Sequence, residues 1–386
     1  MDITGLKTAI KAEVAKRRSQ LAKLSLKIHA NPELGLHEER AAGWLTDYLK
    51  ENGFRIERGI CEMPTAFRAV YGKGKPVLAF LAEYDALPGL GHACGHNIIC
   101  TAAVGAGIAA KLAADNFPGT IQVIGTPAEE LIGGKITMAE RGAFNGLDMA
   151  VLVHPGTLNM ATSKALACVT LEVEFFGKAA HAAAEPEVGR NALEALILAY
   201  NGVNSLRQHI RPSARLHGII TDGGKAANIV PAHSAGTFLV RAIDDTYLAE
   251  LKQRVLDCFS GAAAATGTRL EYRWSNHYAP MRNNMVLGRL FQQNMTELGR
   301  TVLLEEPHDN FGSTDMGNVS QIAPAIHPFV AIAPSGTASH SPEFAAAAAS
   351  ENGIKGMLDA AKAMAMTAAD LLASPELVNQ VKVEFK

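Results

Sequence analysis

The chain of 386 residues sets 36 Lys and Arg against 38 Asp and Glu, a formal charge of −2, and is 48% hydrophobic, which suits two or three domains of roughly 100–200 residues each. That balance offers no basic stripe to nucleic acid and no polybasic run to an anionic membrane, so bulk charge names no partner. Five cysteines without framework spacing, an N-terminus interleaved with charges, and no run of ~18 apolar residues point to a cytoplasmic protein that neither enters nor crosses a membrane.

In chain order, Leu21, Leu24 and Ile28 recur at helical spacing within a predicted helix over 6–28, closed by His29 and ended at Asn31-Pro32. A helix follows over 38–52, then strands over 67–71 and 77–81, the second running into Glu83-Tyr84-Asp85-Ala86-Leu87-Pro88-Gly89. After the loop Gly91-His92-Ala93-Cys94-Gly95-His96-Asn97 come a small-residue helix to about 114, a strand over 120–125, the turn Thr126-Pro127-Ala128-Glu129-Glu130, a helix over 135–141, and a strand over 149–153 ending in His154-Pro155. Alternating strands and helices with polar residues at the strand exits predict an α/β domain whose site lies along one sheet edge.

From Cys168 the rhythm changes. A strand over 168–176, helix 189–207, strands 216–221 and 234–241, helix 245–263 and strand 269–274 read as the ferredoxin-like order β-α-β-β-α-β. Residues 167–276 are therefore expected to be an inserted α+β domain. Segments 1–166 and 277–386, the latter with helices over 285–298 and 353–372, are expected to form one discontinuous three-layer α/β/α domain.

Cys94 and His96 do not share a helix face but converge readily in a loop, and Gly95 between them lets the backbone turn. A thiolate and an imidazole suit zinc or a neighbouring first-row metal; each alone reads more readily as a buried thiol or a satisfied loop histidine, and their pairing in one short loop brings the two readings level. Glu129-Glu130 follow a strand, where successive side chains face opposite ways, so one carboxylate can bind metal while the other faces a water. As a lone dipeptide they read as a solvated acidic turn. His154 leaves the next strand in the same direction, and His340 sits in a Ser-rich loop after a strand over 329–333.

Taken in order, His29-Ala30-Asn31-Pro32-Glu33-Leu34-Gly35, Tyr84-Asp85-Ala86-Leu87-Pro88, His92-Ala93-Cys94-Gly95-His96, Pro127-Ala128-Glu129-Glu130, Phe176-Gly177-Lys178-Ala179-Ala180-His181-Ala182-Ala183 and the late His340 resemble one family across nearly the whole chain. It is the co-catalytic metallopeptidase family twenty, which includes aminoacylases and glutamate carboxypeptidases, and within it the amidohydrolase subfamily of N-acyl amino acid hydrolases. The resemblance implies two divalent ions, zinc with manganese as the other candidate, held by Cys94, His96, Glu130, His154 and His340, with Cys94 bridging. It implies Glu129 as general base and acid, and Asp85 as the carboxylate that orients a ligand. His181 is implied to reach a neighbouring subunit's site and stabilise an oxyanion, which requires a homodimer built through the inserted domain. Asn228 and Arg241 match positions that bind a substrate's free carboxylate.

The implied reaction is hydrolysis, by metal-activated water, of the amide of a small N-acyl, aminobenzoyl or dipeptide-like amino acid. An aryl-amine deaminase using the same centre and a non-catalytic, metal-stabilised binding protein are the alternatives. Asn97 departs from the subfamily's usual Asp, Leu131-Ile132 stand where glycines are commoner, and Glu83-Tyr84 also differ. His37, His209, His217, His233, His277, His308, His327 and the Ser313-Thr314-Asp315 loop receive no role.

Overall fold

A computed structural model describes residues 2–307 and 312–386; His308 lies outside them. The apolar runs become, in chain order, strands β1 (Arg55–Arg58), β2 (Phe67–Lys73), β3 (Val77–Ala82), β4 (Gly119–Gly125), β5 (Met149–Val151), β6 (His154–Gly156), β7 (Ala167–Phe176), β8 (Arg215–Asp222), β9 (His233–Ala242), β10 (Arg269–Trp274), β11 (Ala325–Ile326) and β12 (Phe329–Ala331). The described residues divide into two compact units, one comprising 2–164, 281–307 and 314–386, the other 165–280 and 312–313.

In the larger unit a six-stranded sheet runs β1-β2-β4-β3-β5-β11. β4, β3, β5 and β11 are mutually parallel, and β1 and β2 join antiparallel. Parallel strands covered on both faces read as continuous apolar text, and β3 is buried from Leu78 to Ala82. Its alternate residues serve different cores. Leu78 and Phe80 join Ile121, Val123 and Met149 against the helix His96–Ala114. Ala79 and Leu81 join Ile124, Met138 and Phe144 on the other side.

The helix His96–Ala114 corrects one expectation. It is 19 residues long and apolar enough to cross a membrane, yet 83% of its most apolar window is buried inside this fold. A helix that is apolar all round belongs in a core, and this one lies against the sheet and the helix Glu351–Ala373. Its small residues permit that approach. A Cβ on Gly107 would come 2.4 Å from Val123 Cγ2, and one on Gly105 3.3 Å from Ala361 Cβ.

Two boundaries also differ from expectation. The first helix is two, Ile3–Lys16 and Arg18–His29, because Arg17 leaves helical geometry with its N–H shared between the carbonyls of Glu13 and Val14. No Pro or Gly marks that break. His154 does not extend β5; it opens β6, which pairs with β12 in a separate two-stranded sheet.

The smaller unit is an antiparallel sheet in the order β10-β7-β9-β8. The helices Ala192–Leu206 and Asp245–Thr266, N-capped by Asn191 and Asp244, share a core with it through Leu196, Phe238, Leu251 and Phe259. Element order and strand order together are those of the ferredoxin-like fold.

Gly107→Val should force the helix off the sheet and cost about 1–3 kcal/mol, seen as a lower urea midpoint. An unchanged midpoint contradicts this packing.

Candidate metal centre

The parallel strands deliver their polar residues at their carboxyl ends. Glu83 and Asp85 follow β3, Glu129 and Glu130 follow β4, His154 follows β5, and His327 follows β11. Ligand sites in open α/β sheets form there because the connecting loops diverge around a crevice. Cys94 and His96 arrive from the loop after β3. Gly95 makes that loop possible, with φ 77° and no room for a side chain, since a Cβ would meet Pro155 Cγ at 2.5 Å.

Ligand atoms of Cys94, His96 and His154 lie within 4.8 Å of one another, and so do those of Cys94, Glu130 and His340. Cys94 Sγ belongs to both triads. The histidine tautomers follow from their other nitrogens. His96 Nδ1 lies 2.9 Å from the Asp85 carbonyl and 3.0 Å from Asp85 Oδ1, so it donates and leaves an Nε2 lone pair free. His154 Nδ1 donates to the Pro155 carbonyl at 2.7 Å, leaving Nε2 3.3 Å from Cys94 Sγ. His340 Nε2 stands 3.1 Å from Glu130 Oε1.

His96 Nε2 is buried and accepts no hydrogen bond among the described residues, the condition of an atom awaiting a cation. Sulfur, nitrogen and carboxylate oxygen so disposed fit divalent first-row metals. Burial pushes the Cys94 thiol up to about 12 and the His154 imidazole down to about 4. The neutral imidazole is already the ligand form, and a cation reverses the thiol's preference by binding the thiolate.

Glu129 and Glu130 occupy a one-turn helix, Glu129–Ile132, rather than extended chain, so their divergence comes from helical rotation and not from strand alternation. Glu130 N–H donates to Asp85 Oδ2 at 2.9 Å; Asp85 thus orients His96 and the Glu130 backbone together. Beside Glu129 lie Glu83 and Asp315, all three carboxyl groups within 4.8 Å. Burial raises the Glu129 carboxyl well above the usual range, and the Asp315 and Glu83 charges add to it. Between Glu83 and Asp315 sits the fully buried Lys135, whose Nζ bonds both, at 2.8 Å to Asp315.

Sequence reasoning missed Glu83, Lys135, Asp315 and His327. Glu83 and His327 stand where apolar strands end, the same cue that flagged Asp85. Lys135 and Asp315 meet across 180 residues, with no local signal. His327 packs edge-on to His154 and donates from Nδ1 to the Leu152 carbonyl at 3.1 Å. Asn97 is a core residue that donates to Ser25 Oγ and the Ala348 carbonyl.

The remaining candidates belong to the smaller unit. The loop of His181 bridges to Ile229, and Ala182 N–H donates to the Asn228 carbonyl at 3.0 Å, which brings His181 and Asn228 into adjacent loops. Arg241 leaves β9 with Nη1 3.3 Å from Ser313 Oγ, and its Nε is buried without a partner among the described residues.

Two donor triads that meet at one thiol beside a buried carboxyl group, at the sheet's carboxyl end, fit a metal-dependent hydrolase. Residues 79–363 match Peptidase family M20/M25/M40, and the chain belongs to that family. A Xaa-Arg dipeptidase of Mus musculus is 38% identical over 408 residues, covering 99% of this chain and 94% of the relative. One of the p-aminobenzoyl-glutamate hydrolase chains of Escherichia coli is 31% identical over 444 residues, covering 96% and 92%. Among solved structures, a dinuclear metal-binding peptidase of the M20 family from Bacillus subtilis shares the fold with a TM-score of 0.73 and 18% identity, over 93% of this chain and 99% of that one.

Lys135→Met leaves Glu83 and Asp315 buried without a counter-charge and should cost about 3–5 kcal/mol, measured by denaturant unfolding. A loss below about 1 kcal/mol means that the pairing carries no net stability.

Proposed function

We propose that the protein is a dinuclear dipeptidase that hydrolyses dipeptides with a basic C-terminal residue, and that zinc is its metal. The carrying observation is the pair of donor triads sharing Cys94 Sγ; the substrate class is supported by the 38% identity over 99% of the chain to a Xaa-Arg dipeptidase. The donor set of thiolate, imidazole and carboxylate supports zinc, with manganese second. Two divalent ions bound there supply Lewis acidity toward the amide carbonyl and lower the pKa of water toward ~7.

Glu129 takes the proton of the attacking water and returns it to the amide nitrogen as the carbon–nitrogen bond breaks. Cys94, His96, Glu130, His154 and His340 are the ligands, and Asp85 holds His96 in the ligating tautomer. Asn228 and Arg241 take the substrate's carboxylate, for which a guanidinium fork is matched. His181, delivered by a partner subunit, stabilises the oxyanion of the tetrahedral carbon.

That last role needs a homodimer, and the smaller unit has a surface suited to one. β8 is an edge strand exposing Ile219 and Ile220, and the helix Ala192–Leu206 exposes Ile197 and Leu198. An unpaired apolar edge favours pairing with a second copy. All five cysteines are free, which supports a reducing, cytoplasmic setting.

Metal analysis joined to a panel of Xaa-Arg and Xaa-Lys dipeptides, N-acyl amino acids, p-aminobenzoyl-glutamate and an aryl amine tests the reading. Preference for the basic dipeptides is expected; exclusive cleavage of p-aminobenzoyl-glutamate moves the substrate class to acidic amino acids, and deamination alone overturns hydrolysis of an amide. In Glu129→Gln, metal content should persist while turnover falls by roughly 10²–10⁴-fold; undiminished turnover removes Glu129 from the mechanism. Mixing Glu129→Gln with His181→Ala should restore activity through hybrid dimers, and no recovery after confirmed subunit exchange counts against the crossing role.

A further inference from the structure

Glu38 has a use that its position in the chain does not announce. It precedes the helix Glu39–Glu51 where an acidic residue would ordinarily cap, yet its side chain makes no capping bond. It is 0% exposed, and burial raises its carboxyl pKa, an environment that does not suit a carboxylate without a compensating task. Oε1 accepts the N–H of Ala128 at 2.8 Å, and Oε2 accepts the Thr65 hydroxyl at 2.9 Å. The Thr65 carbonyl in turn accepts the hydroxyl of the buried Tyr84 at 2.6 Å.

Ala128 is the residue immediately before Glu129 and Glu130, and it is left-handed, with φ 60° and ψ 39°. A residue with a Cβ adopts that conformation only where its surroundings impose it. Ala128 also starts the turn: its carbonyl accepts the N–H groups of Ile132 and Gly134. A change at Ala128 therefore re-aims both glutamates.

We propose that Glu38 is a positioning residue: its carboxylate, locked by Thr65, holds Ala128 left-handed and so aims Glu129 and Glu130 at the metal centre. Three backbone N–H groups of this segment rest on buried carboxylates, Ala128 on Glu38, Glu130 on Asp85 and Lys135 on Asp315. Asp85 and Asp315 also bond side chains of the centre. Glu38 reaches it through the backbone alone. The proposal rests on the metallohydrolase reading for its kinetic arm, whereas its metal-affinity arm does not depend on which substrate is cleaved.

The test compares Glu38→Ala, Glu38→Gln, Ala128→Gly and Glu38→Ala combined with Ala128→Gly. Zinc affinity is read by chelator competition and kcat and KM on the dipeptide that wild type cleaves. Glu38→Ala should lose roughly 10–100-fold in zinc affinity and in kcat, the scale seen when a group orienting a ligand is removed, with KM little changed. Glu38→Gln, whose amide oxygen can still accept from Ala128, should retain most of both. Glycine adopts the left-handed region freely, so Ala128→Gly placed in the Glu38→Ala background should recover part of the loss. A folded Glu38→Ala with wild-type zinc affinity and kcat overturns the proposal, as does a double variant no better than Glu38→Ala. If Glu38→Ala does not fold, Thr65→Val, which unlocks the carboxylate while leaving it in place, should weaken zinc binding in the same direction; unaltered affinity there is equally fatal. A wild type that binds zinc but cleaves no dipeptide sinks the substrate reading alone.

Discussion

Charge buried at the carboxyl ends of β3 and β4 must find a partner, and much of the larger unit is arranged around that requirement. Glu83, Asp85, Glu38 and Asp315 are each almost wholly removed from solvent, where an unpaired carboxylate is very costly. Lys135 bonds both Glu83 and Asp315, His96 and the Glu130 N–H engage Asp85, and Thr65 and Ala128 engage Glu38. These bonds also set the backbone around Glu129 and Glu130. Satisfying the carboxylates and building the site are therefore one physical event.

The donors left over after that pairing are the informative ones. His96 Nε2 remains buried without a hydrogen bond among the described residues, Glu130 Oε1 stands 3.1 Å from His340 Nε2, and Cys94 Sγ stands in both donor triads. Divalent ions held by the two triads would satisfy these donors together. His92 has both ring nitrogens buried and unpartnered among the described residues, but it stands in none of the donor groups found there, so orphaned nitrogen alone does not define a ligand.

Much of this was legible in the chain. The spacing of Cys94, Gly95 and His96 and the polar exits of β3 and β4 identified the region, and the β-α-β-β-α-β rhythm marked the smaller unit, since local period and turn chemistry dictate those features. The split of the first helix at Arg17 was not legible, because no Gly or Pro signals it. Nor was the Glu83–Lys135–Asp315 cluster, assembled from three separate stretches. The Glu129-Glu130 pair was found for an incomplete reason: the sequence suggested strand alternation, whereas a left-handed Ala128 and a single helical turn do the aiming. Ala128 carries no sequence cue for that conformation because glycine would be the expected residue there.

The claim on which the account turns is that Cys94 serves two ions. Anomalous scattering from crystals of the zinc-loaded protein tests it most directly. The account predicts two metal peaks per chain, both in bonding contact with Cys94 Sγ, one beside His96 and His154 and the other beside Glu130 and His340. A single peak, or two peaks of which either lies away from Cys94, contradicts it.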